Sequence, residues 1–83
     1  MELEYYQKWL LAQMYKLEER VDRDELRRKL GMPPRTASTL LFSLGLYGLV
    51  KATDYKGKTC IELTEKGKVE AEKAYKSFEK SKR

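Results

Sequence analysis

Positive charge gathers in one acid-free stretch of this chain. Between positions 26 and 53 lie Arg27, Arg28, Lys29, Arg35 and Lys51, with no aspartate or glutamate among them. The segment carries +5, the net charge of the whole chain, and the remainder sums to zero. Lys56 and Lys58 follow shortly after. Clustered cations of this kind are the footprint of phosphate binding, and the partner they imply is double-stranded nucleic acid. Neutral hydrogen-bonding side chains fall in the same stretch: Thr36, Ser38, Thr39 and Ser43 can bond phosphates or base edges. Arg35 stands among them as the cation placed to read a base, with guanine its usual target. Phe42, Leu46 and Tyr47 leave two readings open. They can touch thymine methyls, or they can pack against a protein.

Other chemistries lack their residues. There is no histidine, so no Ser-His-Asp or Cys-His nucleophile can be assembled. Cys60 alone supplies neither a zinc site nor an internal disulfide, and a reducing cytoplasm suits it. No metal, cofactor or enzymatic activity is expected. No run approaches the ~20 apolar residues of a membrane span, and the first residues are not signal-like. The expected setting is cytoplasmic and nucleoid-associated. Eighty-three residues make one domain, spanning 1–83, and 41% hydrophobic residues are enough to build its core. Asparagine is absent and Lys and Glu dominate the charges, a bias of the thermophilic kind.

The elements that must position the cations can be read from periodicity. Leu3, Tyr6, Leu10, Met14 and Leu17 recur at helical spacing and predict a helix over 3–18. Asp22 with Glu25 three residues on forms an acidic capping box, Val21 and Leu26 are placed as its hydrophobic staple, and Gly31 supplies the stop. A short helix over 23–30 follows. Pro33 cannot continue it, whereas Pro34 suits a first helical position. The third helix is expected over 34–47, ended by Gly48. Period-2 alternation then sets in: Val50 and Ala52 inward on one strand, Ile61 and Leu63 inward on the next, and Cys60 outward. Turn chemistry over 54–58 joins them into a hairpin. Thr64 caps a last helix over 65–79 with Val69, Ala71, Ala74, Tyr75 and Phe78 as its apolar positions, and 81–83 form a frayed tail. The fold class is mainly α with a β-hairpin, a winged helix-turn-helix of order α-α-α-β-β-α.

Projection of the third helix puts Ala37, Leu40, Leu41, Leu44 and Gly48 toward the core. Arg35, Thr39, Phe42, Ser43 and Leu46 point away, flanked by Thr36 and Ser38. A helix starting at Pro34 leaves the N–H groups of Arg35, Thr36 and Ala37 without intrahelical partners, an anion site at the helix mouth. In a helix-turn-helix that mouth enters the major groove. Arg27, Arg28 and Lys29 on the preceding helix would bind backbone phosphate, and Lys56 and Lys58 at the wing tip would reach a neighbouring groove or phosphate.

The first helix is apolar on more faces than one small core covers, leaving Tyr5, Trp9, Ala12 and Tyr15 over. Trp9 reads as a packing or dimer residue. The last helix offers Ala71, Ala74, Tyr75 and Phe78. Together these residues predict a two-fold interface that would set two reading helices about one DNA turn apart.

The stretch over 30–51 resembles the helix-turn-helix core of MarR-like winged-helix transcriptional regulators. The likeness is carried by Leu30-Gly31-Met32, Leu40-Leu41, Leu44 and Gly48-Leu49-Val50, and by Leu63-Thr64-Glu65-Lys66-Gly67 at the exit from the wing. The resemblance implies a homodimeric regulator on a palindromic operator, with recognition helix 34–47 and wing tip 54–58. The chain differs in carrying Thr39, Phe42, Ser43 and Tyr47 where the family's reading helix carries cations. It also lacks the long helices that form the ligand pocket in full-length members, so no small-molecule effector is expected. The alternative is a winged helix used for protein assembly through Phe42, Leu46 and Tyr47.

Overall fold

Why Val21 sits next to its helix cap becomes clear from the sheet. In the computed structural model, which describes residues 3–17 and 20–81, Val21–Asp22 is a short strand, β1. The other elements are α1 (Tyr5–Leu17), α2 (Arg23–Leu30), α3 (Pro34–Leu46), β2 (Val50–Tyr55), β3 (Lys58–Leu63) and α4 (Glu65–Ser81). The strand order is β1-β3-β2, all antiparallel. Val21 faces Ile61 and Asp22 faces Cys60 on one side of β3, while Val50 faces Leu63 and Thr53 faces Cys60 on the other. The expected hairpin is present with an extra strand on its free edge. Two residues carry no periodicity, so only the pairing with β3 reveals β1.

Local signals place the helix-turn-helix. Asp22 Oδ1 accepts the N–H groups of Asp24 at 2.8 Å and Glu25 at 3.2 Å, capping α2. Glu25 does not close the reciprocal box; its carboxylate lies 3.3 Å from Lys29 Nζ instead. Gly31, at φ 66°, ends α2 in the left-handed region that favours glycine. Pro33 is extended and Pro34 occupies the first turn of α3.

The core is built from Leu10, Leu11, Met14, Leu26, Leu44 and Leu49, all fully buried. α1 enters it differently from its expected stripe. Tyr6 is 62% exposed, and Gln7 is buried in its place. Leu11 and Ala12 are buried too, because α4 packs along α1 and covers a second flank. Cys60, expected outward, is buried, since β1 turns β3 into the central strand and hems Cys60 between Asp22 and Thr53. Ala52, expected inward, is exposed because it lines an open groove between α3 and the wing strands, and Val69 on α4 is exposed as well. Leu40 is only half-buried.

Thr64 caps α4 as expected, accepting the Gly67 N–H at 3.0 Å, and its hydroxyl donates to the Gly48 carbonyl at 2.6 Å. Gly67 sits against the backbone of Leu49, so close that a Cβ there would run into the Leu49 carbonyl. This contact locks the root of the wing to α4. Position 18 of the expected first helix and positions 82 and 83 of the expected tail lie outside the described residues.

Candidate nucleic-acid interface

The three consecutive cations of α2 part ways in the structure. Arg27 lies along α3: its Nη2 donates to Ser38 Oγ at 2.7 Å, and its Nη1 stands 3.6 Å from Asp24. Its side chain is only 21% exposed. Arg27 and Ser38 therefore brace α2 against α3 and fix the helix-turn-helix angle. Lys29 pairs with Glu25. Arg28 is exposed and free of any ion pair with a described carboxylate.

At the mouth of α3, Arg35 and Thr36 are exposed. The Ala37 N–H, expected to be open, donates to the Pro33 carbonyl at 3.0 Å. The carbonyl of a residue just before a helix accepts the first intrahelical bond, so the open donors here are those of Arg35 and Thr36. Thr39 is exposed, with its hydroxyl proton on the Arg35 carbonyl at 2.9 Å, which leaves oxygen lone pairs facing outward. Ser43 does not face outward. It donates to the Leu40 carbonyl at 2.8 Å and accepts from Gln7 Nε2 at 3.0 Å, half-buried against α1. Helical drift over two turns carries position 43 off the outer face that Arg35 and Phe42 share. Gln7 also accepts the Glu4 N–H at 2.8 Å. Phe42 and Leu46 are exposed at 68% and 74%, and Tyr47 is exposed beside them.

The wing carries a network that its sequence does not announce. Glu62 holds Lys51 at 3.2 Å and Arg20 at 3.2 Å. These two partners, Lys51 foremost, hold the Glu62 carboxyl below its ordinary range against the opposing effect of desolvation. The Arg20 guanidinium also lies 4.5 Å from the centre of the Tyr55 ring, with Lys56 Nζ at 5.3 Å. Arg20 and Glu62 stand 42 positions apart, so only the sheet brings them together. Lys58 approaches Asp22 at 4.0 Å. The Asp22 carboxyl is likewise held low, chiefly by the Glu25 N–H, with desolvation opposing and Asp24, Lys58 and Arg28 assisting. The tip turns at Lys56 and Gly57, both at positive φ, and presents Lys56 to solvent.

Among the cations of α2, α3 and the wing, Arg23, Arg28, Arg35 and Lys56 have no ion pair with a described carboxylate. Arg23 escapes the sequence reading because Asp24 and Glu25 follow it directly. A groove of about 390 Å³ runs between α3 and the wing, bordered by Arg23, Arg27 and Lys51 and by no carboxylate.

The residues expected at a two-fold interface divide. Ala12, Ala71 and Ala74 are buried within their own chain, where α4 packs on α1, and so are closed to a partner copy. Small side chains serve this close helix packing. The aromatic residues also meet inside the chain, Tyr15 with Tyr75 at 5.1 Å and Tyr5 with Phe78 at 5.5 Å between ring centres. Tyr5 nevertheless remains exposed, while Trp9, Tyr15, Tyr75 and Phe78 stay half-exposed.

No family model and no curated protein sequence matches the chain. Solved structures do. SSV1 F-93 superimposes with a TM-score of 0.82 at 27% identity over 99% of this chain and 94% of that one. Lactococcus lactis ZitR gives 0.85 at 20% identity, and the oxidised form of MarR from E. coli 0.81 at 17%. The chain covers 98% and 90% of itself in these two matches but only 56% and 54% of the larger proteins. Among these neighbours are a multiple antibiotic resistance repressor, MarR, and an organohalide-sensing transcriptional regulator. With its helix-turn-helix, its three-stranded wing sheet and these superpositions, the chain has a winged-helix fold like that of SSV1 F-93, ZitR and MarR.

Proposed function

We propose that this chain binds double-stranded DNA sequence-specifically as a small homodimeric transcriptional regulator. The observation that carries the reading is the outer face of α3. It is free of acid, opens with the exposed Arg35 and Thr36, and is flanked on α2 and at the wing tip by cations with no ion pair to a described carboxylate. In this reading α3 lies in the major groove, with Arg35, Thr36 and Thr39 toward base edges and Phe42 further along, able to meet a thymine methyl. Arg28 and Arg23 neutralise backbone phosphates. Lys56, with Lys51 and Lys58 behind it, brings the wing tip at 54–58 to the backbone or minor groove. Arg27 and Ser38 hold the two helices in register, and Ser43 acts from behind α3 through Gln7. Tyr5, Trp9, Tyr15, Tyr75 and Phe78 supply the two-fold contact, since exposed aromatic side chains gathered on paired helices favour burial.

Selection of duplexes from a random pool, followed by gel shift and footprinting, tests this. Recovery of a palindromic site with half-sites about one turn apart is the expected result. A failure to bind any duplex at low salt overturns it.

A further inference from the structure

Phe42 and Leu46 form an apolar ridge larger than a thymine methyl would cover. They stand one helical turn apart, 68% and 74% exposed, beside the groove between α3 and the wing. The floor of that groove is apolar, made by Leu41, Val50, Ala52 and Ile61. Gly45, between the two ridge residues, keeps the floor low. A methyl group there would meet only the Val50 carbonyl at 3.9 Å, an ordinary contact, so packing does not demand glycine. Glycine weakens a helix, and what it leaves here is a hollow. The rim is lined by no carboxylate: Arg27 and Lys51 on it are held by Asp24 and Glu62, and Arg23 has no ion pair with a described carboxylate.

DNA can answer the rim but has little for the floor, because thymine methyls are the only apolar groups of the major groove. A second copy of this chain would bring the same cations against the rim. A compact ligand would fill the hollow and leave the ridge wet. A helix with an apolar stripe answers all three features. Its i, i+3 and i+4 side chains match the one-turn spacing of Phe42 and Leu46, and acidic flanks complement the rim.

We infer that the groove between α3 and the wing docks an acidic amphipathic helix of another protein. The helix lays its apolar stripe across Phe42, Leu46 and the hollow at Gly45, and sets a flanking carboxylate against Arg23. Occupation of this face excludes DNA from it, so the partner acts as a release factor. The docking goes beyond the DNA reading and does not require it, whereas the release role rests on that reading.

The test uses a fluorescent synthetic peptide of about 18 residues, five helical turns, with leucine at i, i+4, i+7 and i+11 and glutamate on the flanks. A scrambled peptide of identical composition is the control. The striped peptide should bind the full chain with a Kd on the order of 10 µM, and the scrambled one at least tenfold more weakly. Leu46→Ser and Gly45→Leu, the second of which fills the hollow while favouring the helix, should each weaken the striped peptide about tenfold. Neither should change the affinity for random duplex at low salt by more than about twofold. Equal binding of both peptides, or unchanged peptide binding by both variants, overturns the inference, as does no binding of the striped peptide. A parallel loss of duplex and peptide affinity in both variants assigns the ridge to DNA and overturns it too. Because the peptide is titrated in the absence of DNA, peptide binding and duplex binding can each fail without the other.

Discussion

Arg27 and Arg28 are neighbours in sequence, yet the structure gives them opposite work, and replacing each by alanine separates them. The cations assigned to the backbone that have no ion pair with a described carboxylate, Arg23, Arg28 and Lys56, set the phosphate count. A dimer would then neutralise about 6 phosphates, for a slope of log affinity against log salt of about −5. Affinity would fall on the order of 10³-fold between 50 and 200 mM salt. Arg28→Ala removes one such contact from each subunit, so the slope should shrink by about 1.8 while stability hardly changes. Arg27→Ala should do the reverse. It strips Ser38 of a charge-assisted hydrogen bond of 2.7 Å across the two helices, and the Asp24 contact at 3.6 Å adds little because Asp24 is 73% exposed. A loss of about 1–2 kcal/mol is expected, lowering the melting temperature by about 4–8 °C per kcal/mol, with the salt slope nearly intact. Fluorescence anisotropy across a salt series and thermal unfolding by circular dichroism give both quantities. Equal slope changes for the two variants, or an Arg27→Ala melting curve that overlays the wild type, would refute the division of labour.

Arg35→Ala should cost about 1–3 kcal/mol on a selected site and relax one base position; an equal loss on random DNA would leave Arg35 a phosphate contact only. Gly67→Ala drives a methyl into the Leu49 carbonyl, so a loss of about 1–3 kcal/mol or more is expected in chemical denaturation, and a neutral result would show that the wing root yields freely. Asp22 and Glu62 are held below the ordinary carboxylate range, so their stabilisation is complete above that range, about pH 4, and is lost as pH falls through their lowered values. Acid titration of Asp22→Ala and Glu62→Gln should therefore show a shallower loss of stability on the acid side than wild type. Removal of Trp9 or Phe78 should shift the chain toward monomer in sedimentation and weaken DNA binding with it, and a wild type that stays monomeric at high micromolar concentration refutes the two-fold contact.

Wherever a signal acts over a few residues, the sequence was sufficient. Asp22 as a cap, Gly31 as a stop, Pro34 at a first helical turn and Thr64 as the next cap are each decided by backbone groups within four positions, and all stand where they were expected. The hairpin was legible for the same reason, since alternation and turn residues are local. The acid-free stretch and the exposed Arg35, Thr36, Thr39 and Phe42 could also be read from composition and helical projection.

Tertiary structure decided what depends on partners distant in the chain. Whether a cation is free or occupied turns on carboxylates and hydroxyls brought up by other elements: Ser38 for Arg27, Glu62 for Lys51 and Arg20. Ser43 turned inward because Gln7, 36 positions away, offers it an amide. Cys60 was buried by a strand of two residues that no periodicity could announce, and Ala12, Ala71 and Ala74 were closed by the packing of α4 on α1. Periodicity tells which side of an element is apolar, but which neighbour covers that side is settled only when the chain folds back on itself.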